Sequence, residues 1–564
     1  MIQTLKKTRS MSKQESAYVI SRKVDYADNK GRRIKGYIDK ASNNGKSKHF
    51  VIISPGYAET KRDYISTAYY LAINGFTVLR YDCPNHLGES EGDITNFVLS
   101  DMEDGLRSSI DFIVKKYSPK NIGLISSSVS GRVAFRIAGE DKRIGYLISL
   151  TSVVNLAATI TAAYKEDLIT EYNNGRRWGT IDMLGFEIKD EFLGLAIDGK
   201  YADLRSTMMD IEKIRVPVCF VAAENDVWVN HNDVRSVYKK SINRKSKFIS
   251  IPHALHQIQE NPRLAYYAIL KIVESCIQYI NGETTKKELK KPDIHDIVVQ
   301  NKKEMVNLRC IFSVTKSEEK HFWVDYLSKY YVLIKSNDYQ NFLSLIAQLF
   351  GNIKNGDRIL DAGCGNGHFG SWLLCNMENK SASRQMCNAF SYTGLDFAEN
   401  AIKEAKEIHF GILRRLYASD KGNNIDFKYV IADLDGTIPF PNNSFDKICC
   451  NLVISYLRNH ETVLLKLYYK LKAGGKIVVS SLKPYNDLSL IYKNYLDQNL
   501  NVEDIIEGRK LLSSAGKIRH KEKQGHYHFF NEDELIDLIS KAGFIKAHVY
   551  RSFGNQANVI VAEK

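Results

Sequence analysis

Apolar and polar positions along this chain form two blocks in which short apolar runs alternate with amphipathic segments, and a charged stretch near residue 290 separates the blocks. In the first block the short apolar runs predict buried strands, and the periodic segments between them predict helices. Such an alternation is typical of a parallel sheet, so the block is predicted to be an α/β domain. Its strands are predicted at 50–54, 77–81, 121–125, 216–222 and 247–251.

Helical segments interrupt the first block at 155–210, which indicates an inserted lid. The second block repeats the α/β alternation, with strands predicted at 392–396, 427–432, 447–452 and 476–482. The charged, proline-containing stretch between the blocks has little to bury and is predicted to be a linker. The predicted organisation is a basic segment at 1–44, a first domain at 45–282, a linker at 283–304, a helical lead-in at 305–355 and a second domain at 356–564.

Length and composition place the chain among globular proteins with more than one domain. At 564 residues it is too long for a single core, and its hydrophobic content of 44% and charged content of 26% are ordinary. No apolar run approaches the roughly 18 residues of a membrane span, and residues 1–19 lack the apolar core of a signal peptide. We therefore expect a cytoplasmic protein. The nine cysteines show no CxxC spacing, so we expect reduced thiols and no metal site.

The formal charge of +14 is concentrated at the front of the chain, where residues 1–50 carry thirteen Lys and Arg against four Asp and Glu. Neither a zinc finger nor an RNP-type aromatic motif accompanies this charge, so we expect a solvated basic surface and no nucleic-acid partner. An acidic carrier protein or the phosphates of CoA are the other partners that the charge would suit.

Four serines follow the strand at 121–125, where a strand-to-helix turn can present a nucleophile. Such an elbow needs small residues two positions before and two positions after the nucleophile. Ser128 meets this condition best, because Ser126 and Ser130 stand at those positions. Ser128 is therefore the predicted nucleophile.

The partners of a serine nucleophile follow it in the chain order acid, then histidine, each after a strand of the sheet. Asp226 and His256 satisfy that order. Glu224 and His253 stand close to them and are the competing candidates.

Several segments of the first block resemble the lux-type acyl transferases, the serine thioesterases that supply fatty acid to the bacterial bioluminescence reductase. The resemblance covers roughly residues 45–280 and implies an α/β-hydrolase fold. It also implies an acyl thioester substrate, carried by acyl carrier protein or CoA. The segments that carry it are 76–82, 86–92, 121–125, 153–156 and 225–229.

Carried onto this chain, the resemblance places the nucleophile on Ser128, the acid on Asp226 and the histidine on His256. The backbone N–H groups of Tyr57 and Val129 would form the oxyanion hole. The chain departs from the family in having serines where alanines usually precede the nucleophile. Those changes are small and leave the triad intact.

The second block opens on a strand that runs into Asp361-Ala-Gly363-Cys-Gly365-Asn-Gly367, a turn whose glycines let the backbone approach a ligand closely. Residues 365–370 also match G-x-G-x-x-G, so a dinucleotide site is an alternative. The next predicted strand ends in Asp396, a carboxylate placed to bind ribose hydroxyl groups.

Segments further along the second block, at 433–434, 444–448 and 471–476, resemble the class I S-adenosylmethionine-dependent methyltransferases, over about residues 320–564. The resemblance is greatest to their small-molecule branch, and it favours a methyl donor over a dinucleotide. It implies a Rossmann-like fold with S-adenosylmethionine as cofactor. The cofactor site would contain Asp361, with Gly363 and Gly365 near the methionine moiety, Asp396 at the ribose, and Asp433 and Leu434 at the adenine.

A small-molecule methyl acceptor is expected beside that site. Tyr456, His460, His526 and His528 could line its pocket or be ordinary packing and surface residues. A carboxylate acceptor needs only positioning because it is already ionised at neutral pH, whereas a hydroxyl acceptor needs a base.

The whole chain is thus predicted to be a bifunctional acyl transferase or thioesterase fused to a methyltransferase, in fatty-acyl or polyketide-type metabolism. Two alternatives stay open. The acyl group could pass to an amine or alcohol while the methyl group goes to a separate hydroxyl, or one half could be a binding scaffold without turnover.

Overall fold

Two sheets organise the chain, one in each half. The computed structural model describes residues 17–43, 45, 48–282, 288–312, 314–328, 334–379, 389–418, 424–498 and 502–564.

The first sheet has eight strands in the order β1-β2-β4-β3-β5-β6-β9-β10, and only β2 runs antiparallel to the others. This order and the helices that connect its parallel strands are those of an α/β-hydrolase, which confirms the predicted fold class. The strands are β1 (Val19–Ala27), β2 (Arg33–Ala41), β3 (His49–Ser54), β4 (Thr77–Tyr81), β5 (Asn121–Ser127), β6 (Ile144–Leu150), β9 (Val218–Ala223) and β10 (Lys247–Ile251), while β7 (Thr180–Met183) and β8 (Phe186–Lys189) form a separate hairpin.

The basic segment predicted at 1–44 is wrong for its described residues, because β1 and β2 belong to the first sheet. Their cations alternate with apolar residues, as expected of strands with one solvated face. Several of these cations pair with nearby carboxylates. Arg33 and Lys35, for example, both contact Asp25. Arg22 and Lys23 on the exposed edge strand β1 also discourage pairing with another chain.

The helices of the first half cover both faces of its sheet. Four of them, together with the hairpin β7–β8, form the insertion between β6 and β9, where the lid was predicted. The helices are α1 (Ile65–Ile73), α2 (Leu99–Tyr117), α3 (Val129–Glu140), α4 (Leu156–Tyr164), α5 (Leu168–Asn173), α6 (Glu191–Asp198), α7 (Leu204–Ile211), α8 (His231–Lys239) and α9 (Pro262–Asn281).

The predicted linker at 283–304 is also wrong in its second part, where helix α10 (Ile294–Ile311) begins. Asp293 caps this helix by accepting a hydrogen bond from the His295 N–H at 2.8 Å, so the preceding proline marks a helix start. The helix buries Glu304 against the guanidinium group of Arg80, at 2.7 Å. It therefore packs on the first domain and is not a free tether.

The second sheet has seven strands in the order β13-β12-β11-β14-β15-β17-β16, with β17 antiparallel to its neighbours. The remaining pairs are parallel, as in a Rossmann-like fold with an antiparallel strand near one edge. The strands are β11 (Asp357–Ala362), β12 (Ala389–Asp396), β13 (Asn424–Ile431), β14 (Phe445–Cys450), β15 (Leu471–Leu482), β16 (Ile545–Ser552) and β17 (Ala557–Glu563).

Helices pack on both faces of the second sheet, and two of them reach the first half. The described helices are α11 (Lys316–Ser328), α12 (Asn337–Phe350), α13 (His368–Asn379), α14 (Glu399–Ala418), α15 (His460–Lys470), α16 (Ser489–Gln498), α17 (Val502–Lys523) and α18 (Glu532–Lys541). Over the stretches that the structure describes, no helix combines the length and apolar character that crossing a bilayer requires.

Helices α16 and α17 carry the contact between the halves. Tyr492 donates its hydroxyl hydrogen to the Ala163 carbonyl at 2.6 Å, and its ring packs against Trp228. Gly516 lies so close to the lid hairpin that a Cβ there would approach the Leu184 carbonyl oxygen to 1.8 Å. The lid and the C-terminal half are therefore packed directly against each other.

Candidate active sites

Ser128 lies on the turn between β5 and α3, in a backbone conformation that L-residues rarely adopt (φ 51°, ψ −124°). Small neighbours make this turn possible. Ser130 Oγ accepts the Ser127 N–H at 3.1 Å and lies 3.0 Å from the Ser54 carbonyl oxygen. At Gly131 a Cβ would come within 2.0 Å of Ser152 Oγ, so only glycine fits there. The strain at Ser128 aims its hydroxyl group away from the sheet.

The structure brings the three predicted side chains into one hydrogen-bonded chain. His256 Nε2 lies 3.0 Å from Ser128 Oγ, and His256 Nδ1 lies 2.7 Å from Asp226 Oδ2. Since the carboxylate can only accept, Nδ1 carries the proton and Nε2 is left to accept from the serine. The other oxygen of Asp226 accepts the N–H groups of Trp228 and Val229, which holds the carboxylate in place.

Two opposing effects act on His256. Burial lowers the pKa of the imidazole, and the negative charge of Asp226 with its hydrogen bond raises it. The net result is a pKa above the usual 6.5. The arrangement therefore favours an imidazolium that forms when the serine gives up its proton.

The competing candidates lie outside this chain of hydrogen bonds. Glu224, just after β9, accepts the backbone N–H of His253, in the loop after β10, at 3.0 Å. The two residues are therefore hydrogen-bonded to each other.

The backbone N–H groups of Tyr57 and Val129 both border the Ser128 cavity. Neither is given an acceptor by the hydrogen bonds of the described residues. At Gly56 a Cβ would approach the Ser128 Cβ to 2.9 Å, so the loop lies directly against the nucleophile. These two donors are free to bind an oxyanion.

Sequence reasoning assigned no role to His86, although its segment contributed to the resemblance. Its Nε2 accepts the Ala58 N–H at 3.1 Å, next to Tyr57 in the oxyanion loop. Burial is the main reason that the pKa of His86 falls to about 3, so the ring is neutral and able to accept. In the sequence, only the motif shared with the family marked His86, because its hydrogen bond to Ala58 joins two separate loops.

A cavity of about 220 Å³ lies over Ser128. Its wall is mainly apolar and aromatic, and the lid insertion supplies much of it. Residues from the C-terminal half complete the wall, among them Asp487, Leu488, Arg519 and Lys523. Sequence reasoning did not find this contribution, because no local pattern marks a residue that lines another domain's cavity.

In the second half, the turn after β11 has the conformation that its glycines predict. Gly363 and Gly365 both have positive φ, at 83° and 49°. At Gly363 a Cβ would collide with Val453, at 2.6 Å. Asp396 Oδ2 accepts the Gly365 N–H at 2.9 Å, so the carboxylate at the end of β12 lies beside the turn.

Asp361 is buried below this turn. Its carboxylate accepts the hydroxyl hydrogen of Tyr392 at 2.7 Å and contacts Cys449 Sγ at 3.3 Å. Burial raises the pKa of Asp361 to about 6, and the hydrogen bonds offset part of that effect.

The glycines at 367 and 370 serve packing. At each of them a Cβ would lie 2.6 Å from the ring of His409. His409 donates from Nε2 to the Gly367 carbonyl at 2.6 Å. The G-x-G-x-x-G match therefore arises partly from helix packing against His409 and not from a ligand.

A cavity of about 390 Å³ opens at the carboxyl ends of β11 and β12. Helix α11 covers one side of it with aromatic residues, including Trp323 and Tyr326. All six residues predicted for the cofactor line this cavity or support its turn: Asp361, Gly363, Gly365, Asp396, Asp433 and Leu434.

Of the predicted acceptor residues, Tyr456 lines this cavity, packed 4.5 Å from the ring of Trp323. His460 and His528 instead pack edge-on against the ring of Phe530. His526 is not among the residues that line the cavity. The structure therefore does not bring these three histidines to the cavity: His460 begins α15, and His526 and His528 lie between α17 and α18.

Comparison with known proteins gives two family matches. Residues 19–306 match the family described as acyl transferase, and residues 334–549 match the family described as methyltransferase domain. The first match includes β1, β2 and most of α10, in agreement with their packing on the first sheet.

Among the similar proteins is an acyl transferase of Photobacterium leiognathi, 31% identical over 264 residues, which are 44% of this chain and 79% of that protein. An acyl transferase of Photobacterium phosphoreum is 30% identical over 217 residues, which are 38% of this chain and 70% of that protein. Among solved structures, the ferulic acid complex of Est1E from Butyrivibrio proteoclasticus is 21% identical, covers 45% of this chain and 98% of its own, and has a TM-score of 0.39.

The resemblances read from the sequence are thus confirmed for both halves. The C-terminal half carries a methyltransferase domain, and through residues 19–306 the chain belongs to the acyl transferase family.

Proposed function

We propose that this chain is a bifunctional enzyme in which Ser128 takes an acyl group from a thioester and the C-terminal half methylates a small molecule. The observation that carries the first activity is the hydrogen-bonded chain from Asp226 through His256 to Ser128. An isolated serine would not need two buried partners in this order.

In the proposed reaction, His256 Nε2 takes the proton of Ser128 Oγ as the oxygen attacks the thioester carbonyl carbon. The Tyr57 and Val129 N–H groups stabilise the oxyanion. Collapse of the intermediate breaks the C–S bond, and His256 returns its proton to the departing thiolate. Water or another nucleophile then releases the acyl group from Ser128 by the same steps.

The apolar wall of the Ser128 cavity supports an acyl chain as the group transferred. Leu156, Ile160 and Phe192 of the lid contribute to it, and each is buried. We propose acyl carrier protein or CoA as the carrier, because the resemblance to the lux-type acyl transferases implies an acyl thioester. Both carriers are acidic, which suits a chain with a formal charge of +14.

The C-terminal cavity fits S-adenosylmethionine, which supplies an electrophilic methyl group when bound. Asp396 would accept the ribose hydroxyls, and the backbone at Gly363 and Gly365 leaves room for the methionine moiety. Asp433 and Leu434, which line the cavity, would contact the adenine.

We propose the released acyl carboxylate as the methyl acceptor, which would make the product a methyl ester. Leu488 lines both cavities, so the two cavities adjoin at this residue. A hydroxyl acceptor would need a base, and the groups that line the donor cavity are weak ones. Glu319 and Asp435 both accept hydrogen bonds from Arg458. Burial is the main reason that the pKa of His368 falls to about 4. A carboxylate acceptor needs no base, because it is already ionised at neutral pH.

Ser128→Ala should abolish both the covalent acyl adduct and labelling by a fluorophosphonate, whereas Ser130→Ala should retain them because Ser130 Oγ is held by the backbone. Intact-protein mass spectrometry after incubation with a panel of acyl thioesters measures this. Adduct in Ser128→Ala, with loss in Ser130→Ala, would contradict the assignment.

The kcat/KM for the acyl thioester should rise with pH, with a midpoint above 6.5, because the base is neutral His256 and Asp226 raises its pKa. In Asp226→Asn the burial remains while the raising charge is lost. The midpoint should then move below that of the wild type, and the rate should fall by about 10²–10⁴-fold. A midpoint that Asp226→Asn leaves unchanged would mean that another group titrates.

Calorimetry should detect S-adenosylmethionine binding that Asp396→Ala weakens by about 1.5–3 kcal/mol, the usual value of hydrogen bonds to a charged group. Asp396→Asn retains one acceptor for the Gly365 N–H and should weaken binding less. Tighter binding of a nicotinamide dinucleotide than of S-adenosylmethionine would overturn the donor assignment.

Given an acyl thioester and S-adenosylmethionine, the wild type should produce acyl methyl ester, measured by chromatography with mass detection. Asp396→Ala should stop at the free acid, and Ser128→Ala should methylate only added free acid. If the wild type releases acid and never methylates it, the acceptor is a separate hydroxyl or amine.

A further inference from the structure

The oxyanion loop contains a residue in a disfavoured conformation that is held from two sides. Ala58, next to Tyr57, has φ 60°. From one side its N–H is bound by His86 of the same domain. From the other side its carbonyl oxygen accepts a hydrogen bond from Lys523 Nζ at 2.6 Å.

Lys523 is the last residue of α17 and so belongs to the C-terminal half. Its side chain is buried and borders the Ser128 cavity. Besides Ala58, it contacts Asp63 Oδ2 at 2.9 Å. The same carboxylate oxygen accepts the Thr60 N–H at 2.7 Å, so one ammonium group anchors the whole turn from Ala58 to Asp63.

Without that ammonium group, the Ala58 carbonyl would lose its charged donor, and Asp63 would lose its ion-pair partner. A left-handed alanine has no preference of its own for this conformation, so the surrounding contacts must maintain it. The Tyr57 N–H precedes Ala58 by one residue. Its direction therefore depends on the same contacts.

We propose that Lys523, a residue of the methyltransferase half, is a positioning residue for the oxyanion hole of the serine site. Acyl transfer at Ser128 then requires the C-terminal half to be docked, and this inference rests on the acyl-transfer activity proposed above. The acyl-transfer activity thus depends on the methyltransferase domain, because a residue of that domain positions the oxyanion hole of the serine site.

The test uses the full-length protein and three variants. Lys523→Met removes the donor to the Ala58 carbonyl but also leaves the Asp63 carboxylate without its ion-pair partner. Asp63→Asn/Lys523→Met removes that charge, so it should restore thermal stability while the Ala58 carbonyl stays without its donor. Arg509→Met is the matched control, because Arg509 lies on the same helix and contacts the lid at the Tyr164 carbonyl and Glu166.

Both Lys523 variants should lose at least about tenfold in kcat for the acyl thioester, with KM changed little, since one oxyanion donor is worth about 10²–10³-fold when fully removed. Arg509→Met should keep the kcat of the wild type. Hydrogen exchange across residues 56–63 should become faster in the double variant than in the wild type.

Recovery of kcat together with thermal stability in the double variant would overturn the inference, because Lys523 would then only neutralise Asp63. Unchanged hydrogen exchange at 56–63 would overturn it even if no thioester is turned over. Absence of turnover in the wild type, by contrast, counts against the proposed function, so the two failures can be told apart.

Discussion

Buried cation–carboxylate contacts between the halves are the constraint on which the Ser128 cavity depends. Lys523 pairs with Asp63, and Lys483 pairs with Glu260, with all four side chains largely removed from solvent. A buried charge is costly unless its partner lies in the right place. These pairs are therefore satisfied only in one docking of the two domains, and that docking brings residues of the C-terminal half into the wall of the Ser128 cavity.

The consequence is a serine site that is not confined to the acyl transferase domain. The proposed nucleophile, base and acid come from the first half, whereas α17 supplies part of the roof and the Lys523 ammonium group that contacts the Ala58 carbonyl. The segment after β15 carries Leu488, which borders both cavities. The proposed acyl-transfer site and the proposed methyl-donor site therefore adjoin at Leu488, as successive reactions on one acyl group would need.

Much of the site could be predicted from the sequence because its requirements are local. The elbow at Ser128 needs small neighbours within two residues, and those neighbours are visible in the chain. The donor turn needs glycines with positive φ directly after a strand, followed by Asp396 at the end of the next strand. Parallel strands end at a common edge, so residues that follow different strands, such as Asp226 and His256, could be expected to meet.

What the sequence by itself determined was therefore the α/β class of each half and the residues that strand ends bring together. It did not show that β1 and β2 complete the first sheet, that α10 packs on the first domain through Glu304, or that His526 does not line the donor cavity. These features depend on contacts between segments far apart in the chain, where burial and charge pairing outweigh local composition. Lys523 is the clearest case, because nothing in its own helix distinguishes it from a surface lysine, and only docking of the two domains places its ammonium group on the Ala58 carbonyl.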